Sequence, residues 1–376
     1  MEKILVSFSV FIITLSFISC TKETGLKKIE KLSAADCPRV ASLTVVKKEA
    51  LYTVSTFAGA NGSGIYDENF ISIDGLLCDA RFQWPWGIAI TPDGIIYVSD
   101  FNFANIRKIN TKGVVSTFAG TTIQRGTGDK DGTGTAASFI NPKDIVLNND
   151  GYLFLLDGSG SLRKISPFAE VSTIIKNRQY IPTEYGYQDG PLHQAKFGYD
   201  LHSIAMGPDG SLFLYDSNYL IRKISPEGLV STFAGQKPIN GQRQSGYRDG
   251  PKENALFGGL YIQDMAFGPD GSLYICDTEN KKIRRVTQAG IVETVADLQA
   301  SFIAITKKGV IYAAYFTKIF RIDTDGTVHL VAGKSTAGHR DGVGQEASFT
   351  VVKYMTIHKN YLYMADGSTV RRMNIE

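Results

Sequence analysis

The sequence predicts an all-β protein folded as a six-bladed β-propeller with four antiparallel strands per blade, and three observations carry that prediction. A phrase, Val54-Ser55-Thr56-Phe57-Ala58-Gly59, returns unchanged at Val115 to Gly120 and at Val230 to Gly235. It reappears as Val171-Ser172-Thr173-Ile174, and more weakly from Val292 to Ala296 and from Val328 to Gly333. Between copies the same internal order recurs. The composition agrees: 38 glycines, 21 phenylalanines and 18 tyrosines against 12 prolines in 376 residues favour many short strands joined by tight turns. Repeating units that cannot bury an apolar face alone must stack on their neighbours.

Each unit opens with an Asp-Gly loop and an Ala-x-Phe. Asp74-Gly75 precedes Ala80 and Phe82, Asp131-Gly132 precedes Ala137 and Phe139, and Asp189-Gly190 precedes Ala195 and Phe197. Asp249-Gly250 with Ala255 and Phe257, and Asp341-Gly342 with Ala347 and Phe349, follow the same order. These elements read as structural loops that wedge an aromatic between adjacent blades. An apolar strand such as Gly87-Ile88-Ala89-Ile90 comes next. It ends in a turn of the Pro92-Asp93-Gly94 kind, repeated at Pro208 and Pro269, where Pro fixes φ and Gly accepts a positive φ. A second strand, Ile96 to Asp100 in the first unit, and a third, Ile106-Arg107-Lys108-Ile109, precede the Thr-Phe-Ala-Gly phrase, which makes the fourth.

There are six copies of the second strand, from Tyr97 to Asp100 through Tyr363 to Asp366. The last unit has a third strand at Val370 to Met373 but no fourth, whereas residues 52–59 form a fourth strand with no unit before it. The economical solution is that the N-terminal strand completes the last blade, which closes the ring and removes exposed edges.

Pro85-Trp86-Gly87-Ile88-Ala89, Pro92-Asp93-Gly94, Tyr97-Val98-Ser99-Asp100, Ile106-Arg107-Lys108-Ile109 and Thr117-Phe118-Ala119-Gly120 together resemble the NHL-repeat family. The resemblance extends over residues 51–376. It implies a six-bladed propeller, and similar exported bacterial lipoproteins carry such repeats.

The first residues read as an address. The apolar run from Ile4 to Ile18 is too short for a spanning helix and follows only Glu2 and Lys3, as in a secretory signal. It ends in Phe17-Ile18-Ser19-Cys20, which resembles a bacterial lipobox. The expectation is a signal peptide over 1–19, lipidation at Cys20, a tether over 20–50 and the propeller over 51–376. Thr21 in place of an Asp favours the outer membrane or cell surface, reached through the lipid anchor only. Cys37 and Cys78 can pair in an oxidising compartment, though their spacing does not demand it. Cys276 lies within a strand and reads as a small buried apolar residue.

The formal charge of +3 gives no electrostatic case for nucleic acid. Repeated charges read as framework. Asp100, Asp157, Asp216, Asp277 and Asp366 end the second strands, and Arg107, Arg163, Arg222, Arg284 and Arg371 lie in the third. The fifth unit has Tyr315 and Phe320 at these two positions, so both charges are lost together. That co-loss points to five within-blade Asp–Arg pairs, with an aromatic contact in their place in blade five.

The candidate ligand site is the mouth of the central channel, where each innermost strand starts. The aligned pairs are Trp86-Gly87, Lys143-Asp144, His202-Ser203, Gln263-Asp264, Ser301-Phe302 and Lys353-Tyr354. Unlike the framework, this ring varies from unit to unit, and it suits a polar ligand with Trp86 as a stacking platform. The fifth unit lacks the Asp-Gly insert, which predicts a notch near Asp264 and Phe302. The functional expectation is a monomeric, non-enzymatic binding module for a glycan, peptide or protein, with no cofactor. The alternative is a propeller lyase or hydrolase using the same mouth. Only His202 falls there, since His193, His329, His339 and His358 lie elsewhere in their units, so a multi-histidine zinc site is unsupported. Asp144, Asp264 and Ser203 suit a hard cation such as Ca²⁺, but with a short ligand count.

Overall fold

The computed structural model describes residues 50–59, 72–121, 128–176, 186–259 and 262–376. The expected signal, Cys20, Cys37 and the tether up to residue 49 lie outside them. Cys78 is disulfide-bonded, and Cys276 is a free thiol buried in its strand.

Six antiparallel sheets form the six blades. Their inner strands are Pro85–Ile90, Ile145–Leu147, Leu201–Met206, Ile262–Phe267, Phe302–Ile305 and Val352–His358. Each inner strand touches the next, and the sixth touches the first, so the ring is closed. The closure is a strand exchange. Thr53–Ala58 pairs with Thr369–Asn374, with Val54 opposite Met373 and Thr56 opposite Arg371. Buried residues alternate along Thr53–Ala58, as expected of a strand with one face in a core.

Five blades hold a fifth strand that the sequence pattern does not announce. Gly75–Leu76, Gly132–Thr133, Gly190–Pro191, Gly250–Pro251 and Gly342–Val343 each add two residues to the outer edge of their own blade. The Asp-Gly loops are therefore edge strands as well as loops. Blade five has no such segment and keeps four strands ending at Val328–Gly333. The missing insert thus bares the outer edge of that blade. Asp264 and Phe302, near which the notch is expected, are both buried on inner strands.

The aromatic wedges are present. Phe139 packs with Ile106 and Ala119 of blade one and with Ile145 and Leu155 of blade two. Phe257 lies likewise among Ile221 and Ala234 of blade three and Ile262 and Ile275 of blade four. Full burial of such a ring stabilises by roughly 1.5–3 kcal/mol. The glycine that ends each Phe-Ala-Gly phrase lets the neighbouring turn close in. Gly120 has φ +91°, and a Cβ there would stand 2.7 Å from the Ala104 carbonyl oxygen.

Candidate functional site

In five blades the recurring pieces of the repeat meet at one fully buried arginine. Arg284 Nη1 donates to Asp277 at 2.9 Å and to the Leu256 carbonyl, while Nη2 donates to Asp249 at 2.7 Å. The Asp249 carboxylate also takes the N–H and hydroxyl of Thr294, and the guanidinium lies 4.9 Å from the Phe257 ring centre. The Asp-Gly, the Ala-x-Phe, the strand-end Asp, the third-strand Arg and the Thr of the fourth strand therefore form one constellation. The same set recurs around Arg163 with Asp157 and Asp131, around Arg222 with Asp216 and Asp189, and around Arg371 with Asp366 and Asp341. The second carboxylate lies some thirty residues upstream, in a loop, so no pattern within the strands reveals it. An arginine suits the position because its planar fork serves two carboxylates and a ring face at once.

Blade one departs from the expected pair. Arg107 turns to Asp74 at 2.7 Å, and Asp100 takes the N–H groups of Gln83 and Trp84 instead, feeling Arg107 only through its charge. Blade five departs too. Tyr315 packs edge-on against Phe316 with ring centres 4.6 Å apart, while Phe320 packs on the cluster containing Ile283 and Ala296 of blade four. No direct Tyr315–Phe320 ring contact stands in for the charge pair.

At the channel mouth the inner strands of four blades carry bulges. In blade one the register passes from Pro85 opposite Asp100 to Ile88 opposite Val98, leaving Trp86 and Gly87 against Ser99 alone. Blades three, four and six break register in the same place, at His202, at Gln263-Asp264 and at Lys353. A bulge re-aims side chains where a ladder would otherwise alternate. Five of the six aligned pairs are split: Trp86, Lys143, His202, Gln263 and Lys353 are part-exposed at the rim, whereas Gly87, Asp144, Ser203, Asp264 and Tyr354 are buried, and in blade five Phe302 is buried too. Ser301 is buried as well. Gly87 is required there, since a Cβ would stand 2.6 Å from the Lys143 carbonyl oxygen of the next blade.

Trp86 is not an open platform. Its ring stacks on Phe101 with centres 5.2 Å apart, and Lys353 Nζ lies over it at 4.6 Å and over Trp84 at 5.1 Å. What the two tryptophans present is the Lys353 ammonium, whose pKa burial lowers. Lys143 has no carboxylate partner among the described residues, and its charge reaches His202. Burial lowers the His202 pKa, against the pull of Asp200 at 3.8 Å. Blades six, one and two thus give the rim a cationic, aromatic arc with His202 beside it, while Gln263 adds an uncharged group.

Behind the rim residues, Asp144 and Asp264 are buried at the inner strands of blades two and four. Asp144 takes the Ile204 N–H at 3.0 Å and Asp264 takes the Ile303 N–H at 2.8 Å, which straps each blade to the next. Burial pushes the Asp144 carboxyl up to about 7 against the hydrogen bonds it accepts. Burial, and then the charge of Asp144, push Asp264 well above the usual carboxylate range. Burial together with these two carboxylates does the same to the Tyr354 hydroxyl. No group of three or more His, Cys, Asp or Glu side chains fit to hold a metal occurs among the described residues.

Residues 82–107, from the wedge Phe82 to the buried Arg107, match the family model of the NHL repeat. The chain carries an NHL repeat. The chain is 25% identical over 292 residues to Teneurin-m of Drosophila melanogaster, covering 69% of this chain and 10% of the relative. It is 26% identical over 221 residues to human Teneurin-4, covering 54% and 8%. The chain thus spans about a tenth of the length of these curated relatives. Among solved structures, the propeller resembles a structural genomics protein of unknown function from Bacteroides thetaiotaomicron. The TM-score is 0.61 at 16% identity, covering 86% of this chain and 75% of that one. An auxiliary nutrient binding protein from Bacteroides ovatus gives 0.57 at 13%, covering 86% and 77%. A virginiamycin B lyase from Staphylococcus aureus gives 0.51 at 12%, covering 86% and 100%. At these identities the likeness is one of fold.

Proposed function

We propose that this propeller is an exported, lipid-anchored binding module that takes its ligand, a glycan, peptide or protein segment bearing negative groups, at the channel mouth. The observation that carries the reading is the contrast between frame and rim. Around the ring the buried arginine constellation repeats, whereas the rim residues differ from blade to blade and gather Lys353, Lys143 and His202 on one arc. A frame must repeat to close a ring; a recognition surface need not. Lys353 is held in place by two indole faces, so less side-chain entropy is lost when an anion reaches it. The similar fold of an auxiliary nutrient binding protein is compatible with a binding role. Export and lipidation at Cys20 rest on the Ser19-Cys20 lipobox and the apolar run before it.

The test is an array of acidic and neutral glycans and peptides probed with the wild-type chain and with a Lys143→Ala, Lys353→Ala variant. Saturable wild-type binding to acidic members that the variant loses supports the reading. Binding indifferent to both substitutions overturns it. Labelled palmitate incorporated in the wild type but not in Cys20→Ala tests the anchor.

A further inference from the structure

We propose that the axis of the propeller holds one hard divalent cation between blades two, three, four and six, bound through the oxygens of Asp144, Ser203, Asp264 and Tyr354. The proposal is independent of what the mouth binds.

Four observations carry it. First, the two carboxylates are nearly inaccessible, at 3% and 1% exposure, and no lysine or arginine is among the main influences on either one. Every other carboxylate buried to this degree at a strand end has an arginine nearby: Asp100, Asp157, Asp216, Asp277 and Asp366. This chain therefore solves the cost of a buried carboxylate with a cation five times and leaves two on inner strands without one. Second, the Oδ1 of Asp144 closes no hydrogen bond of good geometry, although its Oδ2 is tied to Ile204 and the Ser203 and Tyr354 hydroxyls approach the carboxylate. Third, the Ser203 hydroxyl is completely buried, is within reach of the Asp144 carboxylate, and closes no hydrogen bond of good geometry. Fourth, the Tyr354 hydroxyl comes from the far side of the ring to the same carboxylate and feels both charges.

Two carboxylates with two neutral hydroxyls are an all-oxygen set of charge −2. It matches Ca²⁺ or Mg²⁺ rather than a softer metal, with water completing the shell. Backbone straps from Ile204, Met265 and Ile303 hold the carboxylates at a fixed separation, so the donors are positioned before any ion arrives.

The full-length chain is purified, stripped with chelator and titrated with Ca²⁺, Mg²⁺ or Tb³⁺. Metal content, melting temperature and tyrosine-sensitised Tb³⁺ emission are followed. The expected result is about one ion per chain and a higher melting temperature on metal addition, as for any ligand that binds only the folded state. Both effects should be lost in Asp144→Asn, Asp264→Asn. The metal-free double variant should be at least as stable as metal-free wild type, because it carries no uncompensated buried charge. Should that variant not fold, Ser203→Ala, which removes one neutral donor, should weaken binding about tenfold, equivalent to 1.4 kcal/mol. A wild-type chain that holds no ion and whose melting ignores all three metals would mean that protons alone neutralise the pair, and the proposal fails. Metal bound equally by wild type and variants places the ion elsewhere and overturns it too.

Discussion

The Lys353 ammonium lies 4.6 Å from the centre of the Trp86 ring. This contact joins the last inner strand to the first across the ring closure, and it turns an aromatic at the mouth into the support for a charge. A cation over an indole at a part-desolvated site contributes about 0.5–2 kcal/mol. A double-mutant cycle with Trp86→Ala and Lys353→Ala should therefore show a coupling of that size in chemical denaturation. Additive losses would mean that the two side chains are only neighbours.

The arginine constellation sets the second expectation. Replacing Arg284 with Met leaves Asp277 buried without its cation and should cost about 3–5 kcal/mol, seen as a large fall in the denaturation midpoint. Arg321, part-exposed in blade five and paired with Asp323, is the control. Its replacement by Met should change stability by less than about 1 kcal/mol. Equal losses at the two sites would refute the framework role.

Deleting residues 51–59 removes the strand that pairs with Thr369–Asn374. The variant should melt at a lower temperature and associate in a concentration-dependent way, because a strand edge of blade six is then unpaired. An unchanged melting curve would contradict the closure.

Acid should act through the outer carboxylates. Burial raises Asp189 and Asp249, but hydrogen bonds from Arg222 and Tyr187, and from Thr294, Arg284 and Tyr247, outweigh it and hold both below the usual range. A depressed carboxylate contributes stability that is present above its unfolded pKa of about 3.9 and is lost as pH falls through the lower folded value. Asp189→Asn and Asp249→Asn should thus be less stable than wild type at neutral pH, with the gap closing below about pH 4. A gap independent of pH would show that these charges do not matter.

Much of the fold was legible because a repeat writes each rule six times. The surplus strand at Val54 and the missing one after Met373 pointed to the exchange. The two-residue edge strands such as Gly75–Leu76 were not legible, being too short to show any hydrophobic period. Of the charge network, Arg284 with Asp277 could be read because both are lost together in blade five. The bond to Asp249 could not, because it crosses from a loop. At the mouth the sequence identified which residues gather, but not which face outward. The bulges at Trp86-Gly87, His202, Gln263-Asp264 and Lys353 settle that, and a bulge is a property of pairing rather than of one strand. Trp86 read as a platform because the partners that engage its ring, Phe101 and Lys353, come from a turn of its own blade and from the far end of the chain.

The central claim is that the rim of the channel is the recognition surface. Titration of the best acidic array ligand into wild type, Lys143→Ala with Lys353→Ala, and Lys359→Ala tests it most directly. Lys359 lies in the hairpin turn at the opposite end of the blade-six inner strand. The account predicts that affinity falls at least about tenfold, or 1.4 kcal/mol, in the rim variant and is unchanged in Lys359→Ala. Affinity retained by the rim variant and lost in Lys359→Ala would place recognition on the other face and contradict it.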